Sequence, residues 1–140
     1  MTTKQYLQQA YWLDKRIRAN RAEVQRLREL AMSILPVVLT GERIKTNRLA
    51  DRMSEAIAKI VDLEDLINDE IVLYTATVNK IREQINAVDK DDIRTVLQKR
   101  YLNFDKWERI AVDMNYSYRW VIRLHKKALK YFSAKFEIGP

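Results

Sequence analysis

"DKWERIAVDMNYSYRWVIRLHKKAL", residues 105–129, holds two short apolar patterns of helical period separated by polar, turn-prone residues. In the first, Trp107, Ile110, Ala111 and Met114 share one helix face, and Asp105 with Glu108 has the spacing of a capping box. In the second, Val121, Leu124, Ala128 and either Tyr131 or Phe132 share a face of a helix running from Tyr118 to about Phe132. Asn115 tolerates the left-handed backbone of a tight turn, and Ser117 is a good N-cap for the second helix. Two helices joined this closely, the second carrying Arg119, Arg123, Lys126, Lys127 and Lys130 off its apolar face, predict a helix-turn-helix.

Just upstream, "DKDDIRTVLQKRYL" (89–102) predicts one more helix, with Asp89 to Asp92 supplying an N-cap and first-turn carboxylates. Downstream, "SAKFEIGP" (133–140) shows no pattern and predicts a frayed end. Charge divides along the same line. Residues 1–92 hold 15 Lys+Arg and 15 Asp+Glu, whereas 93–140 hold 11 and 4, so the whole excess of the net +7 lies in the last third. Such a segment suits a polyanion, because lysines and arginines bound at phosphates release condensed counterions. A merely solubilising cationic surface is the alternative.

The rest of the chain is helical by composition, with 2 Gly and 2 Pro in 140 residues. From Tyr6 the positions Ala10, Leu13, Ile17, Asn20, Val24, Leu27, Ala31 and Ile34 succeed one another in steps of four and three, a heptad seam on a helix from about Lys4 to Leu35. Pro36 and then Thr40-Gly41 predict its end. A second helix, N-capped near Asn47, has its seam at Met53, Ile57, Ile60, Glu64, Ile67, Ile71, Tyr74, Val78, Ile81, Ile85 and Val88. The short connection makes the two antiparallel neighbours. Asn20 and Glu64, the polar seam positions, either meet in a layer that fixes register at a cost in stability or point to the seam's edge and into water. The second helix outruns the first, so Val78 to Val88 must pack on the basic segment. Flanking apolar residues such as Leu7, Leu30, Leu63 and Leu66 would be left exposed by one hairpin, and this predicts a homodimer. The fold class is therefore all-α: a long coiled-coil-like hairpin over residues 1–88, for dimerisation or partner binding, then a small helix-turn-helix domain over 89–140.

Several function classes have no residues to support them. There is no cysteine for a disulfide or thiolate site, and His125, alone of its kind, has no second ligand at helical spacing and reads as a neutral surface or phosphate-facing histidine. No glycine-rich phosphate loop, nucleophile triad or paired-carboxylate signature occurs, so neither an enzyme nor a metal, cofactor or small-molecule site is expected. The longest apolar run, Ile34 to Leu39, is too short to span a bilayer, and "MTTKQYLQQA" lacks the core of a signal peptide, so the expected location is the cytoplasm. The basic run "DKRIRANRAEVQRLR" (14–28) reads either as a second nucleic-acid surface or as the solvated face of a coiled coil.

"RYLNFDKWERIAVDMNYSYRWVIRLHKKAL" (100–129) resembles the fourth conserved region of bacterial sigma-70-type factors, which reads the −35 promoter element; Ile110-Ala111, Ser117, Val121 and Ala128-Leu129 are in step with it. With "KQYLQQAYWLDKRI" (4–17) and "AIAKIVDLEDLINDEI" (56–71), the chain also resembles sigma-factor-like proteins of phages and prophages of Gram-positive hosts, among the late-gene regulators of the ArpU and RinA types. The resemblance implies double-stranded DNA as partner, host RNA polymerase as a further one, and contacts at Tyr118, Arg119, Trp120, Ile122 and Arg123; Lys126 and Lys127, a turn further along where phosphates are nearer, and Lys106 are expected to contact DNA beside them. Arg119 and Arg123 keep base-reading chemistry, since arginine takes guanine O6 and N7 bidentately. Tyr118 either donates to phosphate or is structural. Trp120 either donates to phosphate or packs beside Trp107, and Ile122 meets either a thymine methyl or a protein. These departures leave the DNA sequence open. The rival expectation is a helical interaction protein that binds RNA polymerase or another phage or host protein without reading sequence, and a weaker third is a DNA-packaging adaptor.

Overall fold

The computed structural model describes residues 1–41 and 43–139, with backbone only for 43–45. Its elements are α1 (Thr3–Leu7), α2 (Gln9–Thr40), α3 (Arg43–Asn86), α4 (Asp91–Leu97), a π-helical turn (Gln98–Leu102), α5 (Trp107–Met114) and α6 (Tyr118–Phe136). Of the described residues 87% are helical and none is in a strand, so the fold is all-α. Long helices α2 and α3 pack against each other. None of the described helices is long and apolar enough to cross a membrane.

The helix ends differ from the expected ones for identifiable reasons. Thr2 caps α1 in a reciprocal box with Gln5, and Gln8, at ψ −3°, offsets α1 from α2. Pro36 does not stop α2. Proline costs the helix one N–H and crowds the preceding turn, yet the chain winds on to Thr40, whose hydroxyl donates to Pro36 O at 2.6 Å. The stop comes at Gly41, where a Cβ would lie 2.5 Å from Val37 O, closer than any side chain tolerates. Asn47 is no cap but an interior residue of α3.

Two compact units result, Lys15–Leu73 and Met1–Asp14 with Tyr74–Pro140. In the first, Ile17, Val24 and Ile34 of α2 and Ala56 and Ile67 of α3 are buried. Ile57, expected in the seam, is 46% exposed, and Ala56 takes its place. An unsupercoiled helix drifts by about 20° per heptad against a strict seven-residue repeat, so the seam read from Ile71 back to Ile57 walks off the buried face. The polar layer also forms further along α3 than Glu64: Asn20 Nδ2 donates to Glu70 Oε1 at 2.7 Å, and Arg16 Nε lies 3.6 Å from Glu70 Oε2. Glu64 is half-buried and pairs with Arg28 instead.

In the second unit one core joins Ile81 and Ile85 of α3, and Val88 just beyond its end, to Val96, Leu97, Tyr101, Ile110, Val121, Leu124 and Phe132. The last turns of α3 thus find the partner their sequence demanded. Leu7 is fully buried in this core and is not an exposed flank of the hairpin. Nor does the C-terminus fray. Glu137 turns left-handed at φ 53°, Ile138 packs on the core, and Gly139 O accepts a 2.7 Å bond from the buried Thr3 hydroxyl.

Because Glu70 is buried with Asn20 as a donor, Asn20→Leu is expected to lower stability by roughly 1–3 kcal/mol, the cost of stranding a buried acceptor. Removing both partners, in Asn20→Leu/Glu70→Leu, recovers most of that loss. Thermal melts followed by circular dichroism check this; a single variant that melts higher than the parent contradicts it.

Candidate nucleic-acid interface

The turn between α5 and α6 is built as its sequence directs. Asn115 sits at φ 58°, ψ 40°, and Tyr116 N bonds back to Ala111 O at 3.0 Å, closing the end of α5. Ser117 caps α6, its hydroxyl accepting from Trp120 N at 3.1 Å. The cap of α5 is Lys106, in extended conformation and without a side-chain bond, so the box expected from Asp105 and Glu108 does not form. Between α4 and α5 Phe104 adopts φ 60°, its ring edge-on to Tyr11 at 5.6 Å, and Arg100 lies over the Trp107 ring at 4.4 Å.

On the inner face of α6, Val121, Leu124, Ala128 and Phe132 are buried, and so is His125. This corrects the surface or phosphate-facing reading of the histidine. His125 Nε2 lies 2.5 Å from the Tyr101 hydroxyl, and the Trp107 ring is 4.5 Å away. Burial lowers its pKa to about 4, with the charges of Lys4 and Arg100 adding to the effect. Burial likewise raises Tyr101 to about 12. The phenol is protonated and the imidazole neutral, and the two share one hydrogen bond whose direction follows the imidazole tautomer. The wider π-helical turn brings Tyr101 to this position, and no pattern of residue types announces that turn.

On the outer face, Arg119, Arg123, Lys126 and Lys130 succeed one another in steps of four, three and four, forming a row opposite the buried residues. The row spans about 16 Å at 1.5 Å rise per residue. All four are exposed, α6 holds no carboxylate, and among the described residues none of the four is in an ion pair. Lys130 completes the row; the contacts implied by resemblance do not include it, although the four-three-four spacing carries the signal. Lys127 lies to one side, its Nζ 5.7 Å from the Trp120 ring centre. Trp120 is 42% exposed and meets Tyr116 edge-on at 6.4 Å, so it does not pack beside Trp107. Tyr118 is exposed, Ile122 is half-buried, and exposed Lys106 stands at the start of α5, apart from the row.

Compared with known proteins, the chain matches no family model, no curated protein and no solved structure.

His125 gives the fold an acid limit. Its folded pKa of about 4 lies below the ordinary 6.5, so between these values the unfolded chain binds the extra proton. The contribution is therefore complete above about pH 6.5 and is lost as pH falls towards 4, in total on the order of 3 kcal/mol at 1.36 kcal/mol per pK unit. Melting temperatures taken across this range should fall steeply for the parent and less so for His125→Gln, which keeps an acceptor but cannot titrate there. Parallel slopes would assign the acid sensitivity to other groups.

Proposed function

We propose that this protein is a sequence-specific, double-stranded-DNA-binding transcription regulator of a phage or prophage, related in its C-terminal part to sigma-70 region 4 and acting on late phage genes. The observation that carries the reading is the outward row of Arg119, Arg123, Lys126 and Lys130, cations with no carboxylate of their own helix to answer them. An α-helix fits the major groove, its first turns meet base edges, and later turns pass the phosphates. On this reading Arg119 and Arg123 take guanine edges, Lys126, Lys127 and Lys130 neutralise phosphates, and Tyr118 with the Trp120 indole N–H donates to the backbone. Lys106, at the start of α5, is a further phosphate contact, and Ile122 meets a thymine methyl. The phage setting and the late-gene role rest on the sequence resemblance alone.

One observation favours a second reading. Val112, Tyr118 and Trp120 are 78%, 48% and 42% exposed, an apolar surface suited to RNA polymerase or another phage or host protein. In that case the basic row contributes only unspecific affinity.

The two are separated by salt titration of fluorescence anisotropy on a site selected from bound genomic DNA and on a scrambled one. Arg123→Ala is expected to cost roughly 1–3 kcal/mol on the selected site and little on the scrambled one. Lys127→Ala should weaken both alike and lower the slope of log affinity against log salt by about one unit. Equal losses on both DNAs for Arg119, Arg123, Lys126 and Lys127 would mean that the helix reads no sequence, and the protein-binding reading would then stand.

A further inference from the structure

Two ion pairs mark the two long edges of the Lys15–Leu73 hairpin, Arg16 with Glu70 on one and Arg28 with Glu64 on the other. At about 100° per residue these pairs fall on opposite flanks of the buried line of each helix. The Arg28 edge is a groove whose lining includes Arg21, Gln25, Arg28, Glu64 and Asn68, and it is mostly polar. The Arg16 edge is different. On α3, Leu63, Leu66, Glu70 and Leu73 are spaced in steps of three, four and three, a second heptad seam beside the first. On α2, Arg16, Glu23, Leu30 and Val37 are spaced in steps of seven. Leu66 and Leu73 are 47% and 53% exposed, and Val37 is 40%. At the centre of this edge Glu70 is 5% exposed, yet its Oε2 accepts no hydrogen bond.

From this we infer that the Arg16 edge is the interface of a homodimer in which α2 of one copy lies against α3 of the other. Such an interface is independent of whatever α6 binds. Charge selects the occupant. Residues 15–35 carry six lysines and arginines against two glutamates, and residues 51–73 carry seven carboxylates against two cations. A hairpin so divided repels a copy laid helix on like helix and attracts one laid α2 on α3. A two-fold axis parallel to the helices produces that pairing, keeps every neighbour antiparallel, and sets each residue level with its own in-chain partner's counterpart. Arg16 therefore stands level with Glu70 of both copies: its own chain's Arg16 pairs with Oε2 at 3.6 Å, beyond hydrogen-bond reach, and the partner subunit's Arg16 supplies the hydrogen bond. Leu63, Leu66 and Leu73 close over the same layer, and Leu30 faces the neighbourhood of the partner subunit's Leu63.

Sedimentation equilibrium of the full chain at tens of micromolar is expected to give twice the 16.7 kDa chain mass. Leu66→Asp/Leu73→Asp, at positions already half in water, should keep its helical content and dissociate roughly a hundredfold more readily, as expected for losing anchors at an interface core. Val61→Asp/Val72→Asp, at exposed positions elsewhere on α3, should leave the dimer unchanged. The chain lacks cysteine, so pairing can be read directly: an oxidised mixture of Leu30→Cys and Leu63→Cys chains should yield a mixed disulfide dimer in preference to either like pair. A monomeric parent overturns the proposal, as does a dimer broken by the Val61/Val72 changes instead. Dominant Leu63→Cys like pairs overturn the α2-on-α3 arrangement.

Discussion

The burial of Ile81 and Ile85 in the last turns of α3, with Val88 just beyond its end, is the constraint on which the C-terminal unit depends. α4 and α5, of 7 and 8 residues, are too short to be stable helices alone, and with α6 they gain their stability from packing an amphipathic face. α3 offers a surface of Ile81 and Ile85 on successive turns, already ordered by a helix of 44 residues. Tyr101, Ile110, Val121, Leu124 and Phe132 complete that surface into a core, and Leu7 closes it. Once the inner face of α6 is fixed in this way, the direction of its outer face is no longer free. The row of cations is thus a consequence of where α3 places its isoleucines.

Polar groups within each unit set finer details. Glu70 makes α2 and α3 meet in one register, because any slip would leave a buried carboxylate without Asn20. Tyr101 and His125 do the same for the π-helical turn and α6, joining two buried groups that each remain uncharged near neutrality. A buried polar pair of this kind adds little net stability, but it penalises alternatives heavily.

Most of the fold is legible in residue spacing. The apolar steps of α2 are all buried or half-buried as expected, and Asn115 and Ser117 take the conformations their side chains favour. What spacing cannot carry is drift and context. A strict heptad count places Ile57 in the seam because it ignores the angle that accumulates over a long straight helix. Pro36 is overruled by the turns on either side of it, and the C-terminal residues gain order from Thr3, a contact across nearly the whole chain. In the candidate interface, Arg119, Arg123, Lys126 and Lys127 lie exposed as expected, whereas Trp120 and His125 exchange roles: the histidine goes inside beside Trp107, and the tryptophan stays out with Tyr116. Residue type alone ranks a tryptophan above a histidine for burial, but position on the helix decides otherwise.

The separation between the two faces of α6 also bears on how this sequence can change over time. Arg119, Arg123, Lys126 and Lys130 are exposed and face away from the core. Surface substitutions of that kind usually shift folding free energy by less than about 0.5 kcal/mol. Variation at these four positions is therefore scarcely tested by the fold, and under the proposed DNA-binding function lineages can drift to new recognition preferences without first passing through unstable intermediates.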